Sequence, residues 1–264
     1  MTRLSFDDYL AHLRSESARF REVLASCDPA AAVPTCPAWD AADLLWHLTT
    51  VHDFWAYVVT HRPAPPEEYS EPERPTDYAD LLAAFDDASG RLVAALEGAP
   101  PADPAWTWST EQTVGFTFRR QAHEALIHRL DAEIAAGVDH ASIDPRLAAD
   151  GVDEILDVMY GGCPPWGTFS PLPHYVRVDL IDVDQSVWVQ LGHFDGTDPE
   201  GVEYHEDDIH VVSDPGEEPD AVIGGTAAQL LARLWRRGPG DEIQLAGDLA
   251  MVDHFRAAVH HPID

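Results

Sequence analysis

The stretch "RRQAHEALIHRLDAE", residues 119–133, places charged side chains beside an apolar stripe at helical spacing. At about 100° per residue, His128 and Asp131 lie close to Glu124 on a helical wheel. An adjoining stripe of the same predicted helix is apolar: Phe116, Ile127, Leu130 and Ile134. The polar side chains are therefore expected to border the core of a helical domain.

A second predicted helix carries a histidine on a mainly apolar face. It runs from an N-cap at Asp40 to about Val59. The face that holds His47 is otherwise apolar: Leu44, Val51, Phe54 and Val58. A buried imidazole needs a partner, so His47 is a candidate functional residue.

His52 points to another face of the same helix and is expected to lie outside the site. The aromatic residues of this region are assigned to core packing, with a wall of a metal cleft as the alternative or additional role: Trp39, Trp46, Phe54 and Trp55.

The pattern of hydrophobic residues predicts an α+β protein with two domains. Helices are expected over residues 5–26, 40–59, 78–98 and 116–137, with Gly137 ending the fourth, and a fifth over 144–160. After a linker at 161–173, alternation predicts two strands within 175–192 and an acidic loop at 195–208. Short strands at 209–213, 221–225 and 241–247 and helices at 226–237 and 248–259 follow. The predicted domains are residues 1–160 and 170–264.

Composition limits the possible partners. The chain has 264 residues, with 47 acidic against 16 basic side chains and a formal charge of -31. Nucleic acids and anionic membranes would repel it, so neither is an expected partner. The N-terminus lacks the pattern of a signal peptide, and no apolar run is long enough to span a bilayer, which predicts a cytoplasmic protein. Cys27, Cys36 and Cys163 are too widely spaced for a CxxC site and are expected to be free thiols.

Two helices of the predicted bundle supply a possible metal site. Glu124 and His128 at i, i+4, met by His47 from a facing helix, offer three ligands for zinc or another divalent metal and leave one position open. The alternatives are a hydrogen-bonded core histidine at His47 and an ordinary solvated pair at Glu124 and His128. The zinc-protease motif is excluded because His123 and His128 are five residues apart.

Two segments resemble the mycothiol-dependent maleylpyruvate isomerase family. "CPAWDAADLLWHLTTVHDFW" (36–55) is similar to the entry of that family's second helix, and residues 119–133 are similar to its Arg-x-x-His-Glu-x-x-x-His-Arg-x-Asp segment. The resemblance implies a DinB-like four-helix bundle, zinc on His47, Glu124 and His128, and mycothiol as cofactor. Residues 222–248 resemble the family's second domain, an α/β module similar to sterol carrier proteins. An arginine of that domain is important in the family, and Arg236 or Arg237 is the nearest candidate; the alternative is a solvated helix end.

The expected function is a metal-dependent, mycothiol-dependent reaction on a small electrophile, either cis-trans isomerisation or thiol S-transfer. Asp131 is expected to orient a ligand imidazole, or else to be a surface acid paired with an arginine. Arg120 is expected to bind a carboxylate of substrate or thiol, or else to be a surface residue paired with Glu124 or with neighbours of Asp131. A metal-dependent hydrolase and a non-catalytic metal- or ligand-binding protein remain alternatives. The substrate and the oligomeric state are left open.

Overall fold

The computed structural model describes residues 3–238 and 243–260, which divide into two compact units. The first unit comprises Leu4–Ser142, and the second begins at Ile143. The predicted first domain extends to residue 160, whereas the structure groups residues 143–160 with the second unit. The reason is packing, because the fifth helix contacts the sixth, and the π-helical turn that follows it contacts the third strand.

The first unit, which is described throughout, is a bundle of four helices. They are α1 (Phe6–Ser26), α2 (Ala41–His61), α3 (Tyr78–Glu97) and α4 (Val114–Ala136). Helix α1 packs against α3 and α4, and α2 packs against the same two helices. The core between them is apolar and includes Phe20, Leu24, Leu44, Leu45, Leu48, Leu81 and Phe85. The four predicted helices are confirmed.

Local side-chain chemistry fixes where these helices begin and end. Asp40 accepts a hydrogen bond from the backbone of Asp43, while the Asp43 carboxylate accepts one from the backbone of Asp40, so a capping box starts α2. Gly137 adopts a left-handed conformation at φ 64° and ends α4. Glycine tolerates this conformation because it has no Cβ. Both ends agree with the sequence prediction.

Helix α4 is buried on nearly every side, including most of its polar face. Arg129 has a fully buried side chain that donates to Glu16 at 2.7 Å and to Glu133 at 2.8 Å. Buried charges are tolerated when they are paired in this way. The polar face does not merely border the core, as the helical wheel suggests, but is itself enclosed.

The second unit combines helices with a five-stranded mixed sheet across its described residues. Helix α5 (Pro145–Glu154) continues as a π-helical turn (Ile155–Tyr160). The strands are β1 (Gly167–Leu180), β2 (Gln185–Thr197), β3 (Glu203–Val212), β4 (Ala221–Gly225) and β5 (Gln244–Gly247). Their order is β3-β2-β1-β4-β5, with β1 and β4 parallel and the other pairs antiparallel. Helices α6 (Ala227–Leu234) and α7 (Leu249–Ala258) complete the unit, and α7 lies against β1, β3 and β4. The α+β class is confirmed.

Two segments predicted as linker and loop form strands instead. Strand β1 begins inside the predicted linker 161–173, and β2 and β3 extend through most of the predicted acidic loop 195–208. The β2–β3 ladder is continuous from Trp188 paired with Val212 to Thr197 paired with Glu203. Strand β3 lies at the edge of the sheet, and many of its side chains are charged and exposed. It is held by backbone hydrogen bonds to β2, so its sequence does not need the apolar alternation by which strands are predicted. Residues 241 and 242 of the predicted strand 241–247 lie outside the described residues.

Neither disulfides nor membrane-spanning helices contribute to the described structure. Cys27, Cys36 and Cys163 are free, as their spacing predicts. Over residues 3–238 and 243–260, no helix combines the length and apolar character that crossing a bilayer requires.

The fully buried histidine of α2 is His52, not His47. Its ring lies 5.5 Å from the ring of Phe85 on α3. Neither of its ring nitrogens has a hydrogen-bond partner among the described residues. Burial favours the neutral imidazole and lowers the pKa of His52 from 6.5 to about 3. The side chain of His47, by contrast, is 31% exposed, which corrects the expectation of a buried imidazole at that position.

The buried His52 imidazole should make the bundle sensitive to acid. Its folded-state pKa lies below the unfolded value of 6.5, so protonation favours the unfolded chain. Above pH 6.5 the His52 imidazole is neutral in both states and does not change the free energy of unfolding. As the pH falls from 6.5 toward about 3, protonation of the unfolded chain lowers that free energy. We expect His52→Leu to reduce the loss of unfolding free energy between about pH 7.5 and pH 5 by about 2 kcal/mol.

Urea unfolding of both proteins at the two pH values measures this difference. The matched control is His61→Leu, which replaces an exposed histidine at the end of the same helix and should keep the wild-type pH dependence. The prediction would be contradicted if the wild type and His52→Leu lost the same unfolding free energy between the two pH values.

Candidate metal centre

Helices α2 and α4 bring together the three residues that the sequence singles out as metal ligands. The Nε2 atom of His47 lies 3.6 Å from Oε1 of Glu124, and Nε2 of His128 lies 3.1 Å from the same oxygen. The three potential ligand atoms all lie within 4.8 Å of one another. The rings of His47 and His128 meet edge to face, with centroids 4.7 Å apart. Two imidazoles and one carboxylate thus converge on one point.

Helical spacing and one interhelical contact produce this convergence. Glu124 and His128 are four residues apart on α4 and therefore share a face. His47 lies in the second turn of α2, whose start is set by the capping box at Asp40 and Asp43. Because α2 packs against α4, the imidazole of His47 reaches the carboxylate of Glu124.

A buried chain of hydrogen bonds orients His128. Its Nδ1 lies 3.0 Å from Oδ2 of Asp131, whose side chain is completely buried. The hydroxyl of Thr35 donates to Oδ1 of Asp131 at 2.6 Å. A carboxylate on Nδ1 keeps a proton there, so Nε2, which faces Glu124 and His47, is the nitrogen left to bind a metal when the ring is neutral. Asp131 is therefore an interior acid, not a surface one.

Arg120 contacts the other oxygen of the central carboxylate. One of its terminal nitrogens donates to Oε2 of Glu124 at 3.1 Å, and the arginine side chain is almost fully buried. This contact leaves Oε1 as the oxygen shared with the two imidazoles. Arg120 is not the exposed surface residue of the alternative interpretation. Its expected role in binding a carboxylate of substrate or thiol stays a prediction.

The electrostatics of the group favour charged forms despite burial. Burial by itself would raise the pKa of Glu124, but hydrogen bonds from His128 and His47 and the charge of Arg120 outweigh it and hold the pKa well below its usual range. Burial would lower the pKa of His128, yet hydrogen bonds to Asp131 and Glu124 raise it to about 9. Without a metal, Glu124 is therefore a carboxylate and His128 an imidazolium at neutral pH.

Two further residues, Trp39 and Thr35, lie near the three candidate ligands. The ring of Trp39 lies 4.6 Å from the ring of His47 and 6.4 Å from that of His128. Trp39 also packs against the bundle core, so its assignment to core packing describes only part of its position. The sequence carries no signal for Thr35. Both residues lie in the segment that leads into α2, where Trp39 ends the "CPAW" stretch at 36–39 and Thr35 directly precedes it.

Arg236 and Arg237 lie in the second unit, directly after α6. Arg236 has a left-handed backbone with φ 59°, and its guanidinium donates to the carbonyl of His260. Arg237 donates to the carbonyl of Trp235 at 2.7 Å and lies over the indole ring, 5.7 Å from its centroid. Both arginines thus contact neighbouring residues of the second unit. A role for either arginine in activity stays a prediction.

Replacing Asp131 should change the titration of His128 in metal-free protein. The hydrogen bond to Asp131 is the strongest of the interactions that raise the pKa of His128. We expect Asp131→Asn to lower that pKa from about 9 toward 6.5, by about one unit or more. NMR titration of the histidine ring signals after chelation of metals measures the change.

The matched control is Asp86→Asn, which removes a half-exposed carboxylate that pairs with Arg21 on the outside of the bundle. It should leave the His128 titration unchanged. A His128 pKa near 6.5 in the wild type, or one that Asp131→Asn does not alter, would contradict the assigned network.

Comparison with known proteins gives consistent matches for both units. The family model described as the mycothiol maleylpyruvate isomerase N-terminal domain matches residues 10–133, and the MDMPI C-terminal domain model matches residues 146–254. The fold is similar to crystal structures of mycothiol-dependent maleylpyruvate isomerase and of one of its histidine-to-alanine mutants. Each has 14% identity and a TM-score of 0.61, over 93% of this chain and 96% of that chain. No curated protein matches the chain.

Proposed function

The chain belongs to the mycothiol maleylpyruvate isomerase family, and we propose that it is an enzyme that uses mycothiol and one divalent metal ion to transform a small electrophile. The observation that carries this proposal is the convergence of His47, Glu124 and His128 within 4.8 Å on two helices. The proposed reaction is cis-trans isomerisation or, alternatively, thiol S-transfer. A small thiol and a small electrophile are the corresponding partners.

The donor set suits zinc. Ligands at about 2.1 Å from a tetrahedral ion lie roughly 3.4 Å apart. The distances of 3.1 Å and 3.6 Å from the imidazole nitrogens to Oε1 of Glu124 bracket that value. Imidazole nitrogen and carboxylate oxygen are both common zinc ligands, and three protein ligands leave a fourth position open. His47, Glu124 and His128 would therefore hold the ion.

The surrounding side chains prepare the three ligands. Asp131, held by Thr35, fixes the tautomer and orientation of His128. Arg120 binds Oε2 of Glu124 and keeps Oε1 directed at the imidazoles. The indole of Trp39 packs against the ring of His47, with the ring centroids 4.6 Å apart. When bound, the ion supplies a Lewis acid that stabilises a thiolate near neutral pH.

Arg236 and Arg237 remain candidates for contacts with thiol or substrate, because a guanidinium binds carboxylates in a bidentate manner. A cytoplasmic location and the exclusion of nucleic acid and membrane partners stay predictions of the sequence. The open metal position would also suit a hydrolytic water, so the hydrolase remains the second candidate.

Removing any one proposed ligand should remove the ion and the activity together. We expect His47→Ala, Glu124→Ala and His128→Ala each to lower the metal content by about one ion per chain and the turnover by at least about 100-fold. Elemental analysis and an assay with mycothiol and maleylpyruvate measure the two quantities. The control is His61→Ala, which removes an exposed histidine of the same helix. Wild-type metal content in all three variants would contradict the proposed site.

Dependence on thiol separates the two enzyme classes. For a mycothiol-dependent enzyme, we expect turnover only with added mycothiol, and we expect mycothiol to raise the melting temperature only when the metal is bound. Turnover without any thiol would favour the hydrolase. Metal binding without turnover or a mycothiol-dependent thermal shift would favour a non-catalytic metal-binding protein.

The Asp131 carboxylate should increase the affinity of the bundle site for its metal ion. We expect Asp131→Asn to weaken zinc binding about 10- to 100-fold, because loss of the anionic hydrogen-bond acceptor lowers the basicity and order of His128. Competition with a chromogenic chelator measures the affinity. Thr35→Val, which removes only the hydroxyl that holds Asp131, should have a smaller effect in the same direction. Unchanged affinity in Asp131→Asn would contradict this role.

A further inference from the structure

A second convergence of metal-binding side chains lies entirely within the second unit. His193 on β2, Asp207 on β3 and His254 on α7 place potential ligand atoms within 4.8 Å of one another. The Nδ1 atom of His193 lies 3.2 Å from Oδ1 of Asp207, and Nε2 of His254 lies 3.7 Å from that same oxygen. None of these residues takes part in the site between α2 and α4.

Strand register and helix packing produce this arrangement. His193 and Asp207 face each other directly across the β2–β3 ladder. Two positions along the strands, Leu191 and Ile209 also face each other, and both are fully buried. Because side chains alternate along a strand, the two pairs lie on the same face of the sheet. Helix α7 lies against β3 and brings His254 to this face.

The spacing suits a transition-metal ion. One carboxylate oxygen lies between two imidazole nitrogens at 3.2 Å and 3.7 Å, which brackets the roughly 3.4 Å expected for tetrahedral ligands. The bundle site has the same donor set and nearly the same spacing, with distances of 3.1 Å and 3.6 Å. Two imidazoles and a carboxylate select zinc and related ions over calcium or magnesium, which prefer oxygen ligands.

The cluster is accessible, yet one of its ligands is held in place. The side chains of His193 and Asp207 are 49% and 36% exposed, whereas that of His254 is 14% exposed. The Nε2 atom of His254 lies 3.1 Å from the carbonyl oxygen of Gly192. An ion that takes Nε2 would replace this hydrogen bond, and the carbonyl oxygen of Gly192 would be a nearby fourth donor.

The charge around the cluster also favours a cation. The next facing pair on the same side of the ladder is Asp195 and His205, joined by a contact of 2.7 Å between Oδ1 and Nδ1. Asp195 and Asp207 thus occupy diagonal positions on the same face of the ladder. With a formal charge of -31, the chain attracts cations from solution.

We propose that His193, Asp207 and His254 form a second site for a divalent transition metal, with zinc as the best-suited ion, that ties α7 to the β2–β3 hairpin. The site is independent of the bundle site and of the proposed reaction. Its effect is on the stability of the second unit, because binding to the folded form alone stabilises that form.

The test counts ions after the bundle site has been removed. In a His47→Asn/His128→Asn protein, titration with Co²⁺ should give one ion per chain, with visible d–d absorption from nitrogen and oxygen ligands. Addition of Zn²⁺ should raise the melting temperature of this protein. Further substitution of His193→Asn/His254→Asn should abolish the cobalt absorption and the zinc-dependent thermal shift.

A matched histidine provides the control. His174 also pairs with an aspartate of the second unit, with Nδ1 lying 3.1 Å from Oδ1 of Asp220, and these two residues belong to no three-residue metal-binding group among the described residues. The substitution His174→Asn should therefore leave both signals unchanged.

Ion counting in the protein with an intact bundle site provides a second measurement, should the bundle variant fail to fold. There His193→Asn/His254→Asn should lower the metal content by about one ion per chain and leave mycothiol-dependent turnover unchanged. The proposal is overturned if the bundle variant binds no Co²⁺, or if His193→Asn/His254→Asn binds as much metal as its parent. Failure of the bundle site would instead appear as unchanged metal content in the His47 and His128 variants.

Discussion

The burial of α4 with its charged side chains is the constraint on which the first unit depends. A helix that carries arginines, acids and histidines can be enclosed only when each charge finds a partner, because an unpaired buried charge costs several kcal/mol. The Arg129 side chain between Glu16 and Glu133 meets this requirement at one place, and the Thr35–Asp131–His128 chain meets it at another. The helices around α4 are therefore specified by charge pairing as well as by apolar contacts.

The same constraint prepares the candidate metal centre. Glu124 receives contacts from His47, His128 and Arg120, and these contacts hold its carboxylate in one orientation before any ion arrives. A site whose ligands are already fixed loses little conformational entropy on binding. His52 is an exception within this bundle, since its buried ring nitrogens find no partner among the described residues.

The two candidate sites share donor types but differ in how the fold supports them. The bundle site takes its ligands from two long helices, where hydrogen bonds hold Glu124 and His128 and ring contacts with Trp39 and His128 hold His47. The cluster on the second unit takes His193 and Asp207 from the outer, more exposed part of a hairpin and only His254 from a helix. Its ligands are held by strand register, which is a backbone property that side-chain composition does not reveal.

The sequence by itself determined the four helices, the N-cap at Asp40 and the shared face of Glu124 and His128, because these depend on spacing within one segment. Only the tertiary structure decided that His52 is buried while His47 stays partly exposed, since both lie on one helix and differ in what packs against them. It also decided that β3 begins at Glu203 and not at the predicted residue 209, because an edge strand is held by hydrogen bonds to its neighbour and not by a hydrophobic pattern of its own.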